Sequence, residues 1–185
     1  PITFILKKSE NSKITSLATA NLNTVAIRFP KNKIINSILK LINFPLAMPS
    51  ANLSSKLSPV QASDVFDDFK KKLSIIINGG SSKIGIESTV IDLSEKPKIL
   101  RPGFISETEI KSILQKTFSK KKSKIKSPGM LKKHYSPGVP IIFGRKPKSL
   151  NHAYIFYGKK HKNLKNYFNL SKKGDLKEAA SHLYK

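Results

Sequence analysis

The sequence predicts an α/β fold: a twisted open sheet with helices packed on it, followed by a linker and a small second α/β unit. Three observations lead there. Short β-branched apolar runs alternate with stretches whose apolar residues recur every three or four positions, which is the pattern of strands and helices in turn. Two helix starts carry capping residues. From residue 119 the composition shifts to lysine, glycine and proline.

Residues 2–6, 24–29, 46–48, 74–77, 88–93 and 98–100 are β-branched and apolar, and read as strands. Residues 32–43 place Ile34, Ile35, Ile38, Leu39, Leu41 and Ile42 at helical spacing, giving one broad apolar stripe to lay on a sheet. Ser58, Pro59 and Gln61 have the form of an N-cap, a first-turn proline and a capping-box partner for a helix through Val65, Phe66 and Phe69. Ser106 and Glu109 repeat the device ahead of Ile110, Ile113, Leu114 and Phe118. The expected organisation is a sheet domain over 1–118, a linker over 119–138 and part of a second domain over 139–185, with strands at 139–143 and 153–157. Only 47 residues follow Gly138, few for an independent core. The chain opens at Pro1 inside a β-like run and closes within an amphipathic helical pattern, so both ends are expected to be cuts.

A net charge of +24, from 35 basic and 11 acidic residues, suits polyanionic partners: nucleic acid, an anionic membrane surface or a phosphorylated metabolite. Lysine runs at 70–72, 120–124 and 159–162 read as solvated faces that could touch RNA. The absence of cysteine excludes disulfides and thiolate zinc sites and fits a cytoplasmic setting. His134, His152, His161 and His182 lack metal-ligand spacing, so no protein-held metal is expected. No apolar stretch nears the ~20 residues a membrane-spanning helix needs.

Arginine is scarce, with three in the chain, and two of them, Arg28 and Arg101, end apolar runs just ahead of a proline. Lysine is a flexible point charge; arginine is a planar fork that grips a carboxylate or phosphate through two bonds. Between the two arginines lie clusters of small hydroxyl, amide and glycine residues: Ser50 to Ser54, Asn78 to Gly80, and Gly85 to Thr89. Such clusters expose backbone N–H groups and short donors, the parts of a concave anion site. Neither a Gly-Lys-Ser/Thr phosphate loop nor a dinucleotide fingerprint is present.

The order of these words, Thr24 to Arg28, Pro49 to Asn52, Ser58 and Pro59, Gly85 to Thr89, Leu100 to Gly103, Ser127 to Met130, and His134 to Pro137, resembles the threonylcarbamoyl-AMP synthases of the two-domain Sua5/YrdC type. The resemblance is dense over residues 1–138 and looser to 185. It implies a YrdC-like α/β domain with a positive cleft, a truncated Sua5-type domain beyond the linker, and a nucleotidyltransferase that uses ATP with its Mg2+, L-threonine and bicarbonate or CO2. The threonine carbamate attacks the α-phosphate, pyrophosphate leaves, and a separate transferase machinery places the threonylcarbamoyl group on adenosine 37 of tRNA.

By the same resemblance Arg101 meets a nucleotide phosphate and Arg28 clamps the threonine carboxylate. Met48 and Ser88 complete the threonine side; Thr24, Ser50, Asn52, Ser58 and Tyr135 complete the nucleotide side. A pentavalent phosphorus with a leaving pyrophosphate concentrates negative charge, so positioned cationic donors carry most of such catalysis. Residues 49–52 also read as a turn bonding to its own backbone, Ser58 as an N-cap, Thr24 as a plain β-former and Glu87 as the partner of a backbone turn. The segment around Tyr135 is the family's lid over the cleft. Family members carry an upstream strand with a threonine-binding threonine and a lysine-x-arginine pair that this chain does not supply, which makes it a fragment, expected to be inactive alone. The competing reading is a non-catalytic basic RNA-binding module, which +24 would serve through salt-sensitive contacts; the scarcity of arginine and of aromatic single-strand motifs weighs against it.

Overall fold

The computed structural model describes residues 2–54, 56–119, 139–144, 152–158 and 166–184. In chain order its elements are β1 (Ile2–Lys7), β2 (Thr24–Phe29), α1 (Lys33–Leu41), α2 (Ala62–Phe69), β3 (Thr89–Asp92), β4 (Lys98–Arg101), α3 (Glu107–Leu114), β5 (Tyr154–Phe156), β6 (Tyr167–Asn169) and α4 (Leu176–His182). They fall into two compact units.

The first unit, residues 2–50 with 87–119, holds a mixed sheet in the order β2-β1-β3-β4. β1 runs antiparallel to β2 and parallel to β3, and β3 runs antiparallel to β4. All four residues of β3 are buried, the apolar pair Val90 and Ile91 flanked by Thr89 and Asp92, whose polar groups need partners inside the protein. Ile5, Val90, Ile91 and Ile110 form the core, each almost fully buried. Burial of one such side chain contributes about 1.5–3 kcal/mol. The buried Thr89 hydroxyl is satisfied by donating to the Ile105 carbonyl at 2.8 Å, and the buried Asp92 carboxylate accepts from the Ser94 backbone and hydroxyl. β2 forms an edge with its last four residues exposed. α1 begins where Asn32 Oδ1 accepts from the N–H groups of Ile34 and Ile35. At α3 the expected capping box is present: Ser106 Oγ accepts from the Glu109 N–H while the Glu109 carboxylate accepts from the Ser106 N–H.

The second unit joins residues 51–86 to the described residues beyond 138. β5 and β6 pair in parallel, Tyr154 opposite Tyr167. α4 is capped by Asp175, whose Oδ1 accepts from Lys177 and Glu178 N–H. Gly85 sits where a Cβ would come within 2.6 Å of the Ala180 carbonyl oxygen, so only glycine lets that loop lie against α4.

Four sequence expectations are corrected here. Residues 46–48, 74–77 and 139–143 are not strands. They carry β-branched or apolar side chains, but Ile75, Ile142 and Phe143 are largely exposed, and a strand exists only where a neighbour's backbone accepts its hydrogen bonds. The second helix starts at Ala62 with Gln61 as its cap, not at Ser58. Asp64 explains the shift: its carboxylate accepts from the N–H groups of both Val60 and Gln61, holding Gln61 extended and starting the helix after it. Residues 120–138, with the expected linker and Tyr135, lie outside the described residues.

Candidate functional site

The first unit's sheet register brings the two arginines into one row. Arg28 in β2 stands opposite Thr3 in β1, Thr3 opposite Val90 in β3, and Val90 opposite Arg101 in β4. Directly opposed residues project from the same face of a sheet. Three strand spacings separate the outer pair, about 14 Å between backbones, and the Arg101 side chain reaches inward to Ser88. The row lies at the end of the sheet where β1 and β3 begin and β2 and β4 finish. Three strand pairings therefore set the two arginines at opposite ends of one row across the sheet.

Arg101 is held by what surrounds it. Its Nε donates to the Ser88 carbonyl at 3.0 Å and its Nη2 to the Ser88 hydroxyl at 3.2 Å. Its Nη1 stands 3.8 Å from a Glu87 carboxylate oxygen, both side chains being largely buried. The planar fork is thus pinned by two bonds to one residue, a geometry that lysine could not reproduce. Ser88, itself 5% exposed, also shares a 3.0 Å hydrogen bond with the Thr3 hydroxyl. Gly103 closes this corner from below: a Cβ there would lie 2.4 Å from Thr89 N and 2.5 Å from the Glu87 carbonyl oxygen. The Leu100 to Gly103 and Gly85 to Thr89 words meet here as one packed loop pair, with glycine required by the approach of two backbones.

Arg28 is exposed on the edge strand. Thr24, on the same face of β2, stands opposite Lys7, about 13 Å along the strand from Arg28. Met48 and Ser50 are exposed in an irregular segment of the first unit. Asn52 and Ser58 belong to the second unit. Asn52 Nδ2 donates to the carbonyls of Leu53 and Lys56, fastening its own turn, and its Oδ1 is buried without a partner. Ser58 lines an open cleft of about 450 Å³ with Lys56, Asp64, Asp68 and Tyr184. Lys56 and Asp68 pair at 2.9 Å. Burial pushes the Asp64 carboxyl upward, but bonds from the Val60 N–H, the Gln61 side chain and the Gln61 N–H outweigh it, and it sits below the usual carboxylate range. Among the described residues no group of three or more His, Asp or Glu side chains could hold a metal, and no helix is long and apolar enough to cross a membrane.

Thr3 and Gly103 are the participants that motif reading missed as individuals. Thr3 looks like any β-former in an apolar run, and only the register reveals its place between the arginines.

Comparison with known proteins places the chain among characterised families. Residues 1–103 match the Sua5/YciO/YrdC family, described as telomere recombination, and residues 105–185 match the threonylcarbamoyl-AMP synthase C-terminal domain. A threonylcarbamoyl-AMP synthase of Pyrococcus abyssi is 39% identical over 155 residues, covering 80% of this chain and 45% of the relative. Proteins of the same description from Bacillus subtilis and Schizosaccharomyces pombe are 38% and 37% identical, covering 72% and 71% of this chain and 41% and 35% of theirs. The chain spans less than half the length of these curated relatives. The crystal structure of P. abyssi Sua5 complexed with L-threonine superposes with a TM-score of 0.83 at 32% identity, over 99% of this chain and 59% of that one. With a match covering more than half of its residues and a second domain model continuing to its last residue, the chain belongs to the Sua5/YciO/YrdC family.

Proposed function

We propose that a polypeptide carrying this sequence makes L-threonylcarbamoyl-adenylate from L-threonine, bicarbonate or CO2 and ATP, releasing pyrophosphate, to supply the transferase machinery that modifies adenosine 37 of tRNA in the cytoplasm. The relatives' description as threonylcarbamoyl-AMP synthases and a threonine-bound neighbour support the reading. The observation that carries it is the row from Arg28 to Arg101, two arginines at register positions on one face of the sheet, the second held by Ser88, with the Thr3 and Ser88 hydroxyls between them.

In this reading Arg28 clamps the threonine carboxylate, with Ser88 and the backbone near Met48 beside it. Arg101 faces a nucleotide phosphate, and Thr24, Ser50, Asn52, Ser58 and Tyr135 serve the nucleotide. Mg2+ arrives on the ATP phosphates rather than on a protein ligand set. Residues 1–118 are the catalytic part, 119–138 the connection and 139–185 part of the second domain.

The test is release of pyrophosphate by a polypeptide carrying this sequence. It should require ATP, threonine and bicarbonate together. Arg101→Ala should lower it about ten- to a hundredfold, the value of one charge-assisted hydrogen bond, while leaving RNA retention intact. Pyrophosphate release indifferent to threonine would end the proposal.

A further inference from the structure

The Arg101, Ser88 and Thr3 side chains form a hydrogen-bonded chain whose proton count leaves one donor over. A guanidinium only donates, so the Ser88 hydroxyl accepts from Arg101 Nη2. Ser88 and Thr3 share one hydrogen bond, which uses one of their two hydroxyl protons. The second proton has no acceptor among the described residues, since each hydroxyl's side-chain bonds are those already given. Ser88 is almost fully buried, whereas Thr3 is half-buried and stands directly opposite Arg28. The arrangement consistent with burial therefore runs from Arg101 to Ser88 to Thr3, with the spare proton on Thr3. Each bond polarises the next, so the positive guanidinium strengthens Thr3 as a donor.

We infer that Thr3 is a substrate-binding residue, its Oγ1–H donating to a carboxylate oxygen of the amino acid that Arg28 clamps. This rests on the reading of the site given above. It adds a neutral donor beside the charged one, so the carboxylate meets a fork on one strand and a hydroxyl on the next, at the spacing of adjacent strands.

The test is calorimetric binding of L-threonine and of 1-amino-2-propanol, which lacks the carboxyl group altogether, to a polypeptide carrying this sequence together with the upstream strand. Thr3→Val keeps the shape and the β preference but removes the donor. It should weaken L-threonine about tenfold and leave 1-amino-2-propanol unchanged, while Thr3→Ser stays within about twofold of the parent. A Thr3→Val protein that binds L-threonine as the parent does would overturn the assignment and leave the wider reading standing. A Thr3→Val protein that no longer folds, judged by its circular dichroism melt, while Thr3→Ser folds, would make Thr3 a strut and overturn it too. A parent polypeptide carrying this sequence together with the upstream strand, yet without affinity for L-threonine, would remove the reading of the site, and this inference with it.

Discussion

Replacing Gly103 by alanine should damage the sheet's arginine corner from below. The added Cβ would lie 2.4 Å from Thr89 N, 2.5 Å from the Glu87 carbonyl oxygen and 2.6 Å from the Ser88 carbonyl carbon. All three are backbone atoms, and Ser88 and Thr89 are 5% and 1% exposed, so no flexible side chain can swing aside. Overpacking of a tight core costs about 1–3 kcal/mol, and three backbone collisions put this site near the top of that range. A loss of about 2–3 kcal/mol should lower the melting temperature by roughly 5–10 °C in a protein of this size. Gly144→Ala is the control, since no atom lies within 4 Å of its added Cβ; it should stay within about 0.5 kcal/mol of the parent. Urea titrations of the parent and both variants measure the difference. Equal midpoints for Gly103→Ala and Gly144→Ala would show that the two loops do not meet as closely as described.

Arg101→Lys keeps the charge but loses the fork that spans the Ser88 carbonyl and hydroxyl; pyrophosphate release should fall about ten- to a hundredfold, and undiminished activity would show that a point charge suffices. Ser106→Ala removes one half of the α3 capping box and should cost about 1 kcal/mol in a urea titration, whereas Ser63→Ala, on the exposed side of α2, should cost nothing measurable. The Asp64 carboxyl, held below its usual value by its hydrogen bonds against the opposing effect of burial, binds protons less readily folded than unfolded. Its contribution is therefore fully present above the unfolded pKa of about 3.9 and is lost as pH falls through the lower folded value; Asp175, lowered by the Glu178 and Lys177 N–H groups, acts in the same sense. Asp64→Asn should flatten the acid limb of a melting-temperature profile taken between about pH 5 and 3, and an unchanged limb would assign acid lability to other groups.

Much of the first unit was legible because its signals are local. The β-branched run at Thr24–Phe29 became a strand with those bounds, the apolar stripe after Asn32 became α1, and Ser106 with Glu109 closed the box that their spacing announced. The misread strands share one physical origin. Residues 74–77 have the side chains of a strand but no neighbouring backbone, because propensity describes a fit to a pleated surface and does not supply the partner. The start of α2 was legible in principle: Asp64, three residues after Gln61, is a stronger capping partner than the Ser58–Pro59 pair.

The site was half legible for a related reason. Arginines beside prolines stand out in a chain that otherwise uses lysine, so Arg28 and Arg101 could be singled out residue by residue. What relates them is the pairing of β1 with β2 and with β3, the second a contact between positions more than eighty residues apart. That pairing gives Thr3 its place, since the same threonine two positions along β1 would stand opposite Ala26 and Asp92 rather than Arg28 and Val90. The register also accounts for glycine at 103. β4 can carry Arg101 to the row only if the chain turns immediately afterwards across the backbone of Glu87 to Thr89, and at that distance a side chain of any kind is excluded. The β3–β4 pairing shifts by one residue between Val90 and Ile91, with Leu100 the extra residue on β4; that irregularity sets Arg101 opposite Val90, where its guanidinium reaches the Ser88 carbonyl and hydroxyl, so the bulge and these hydrogen bonds together present the arginine.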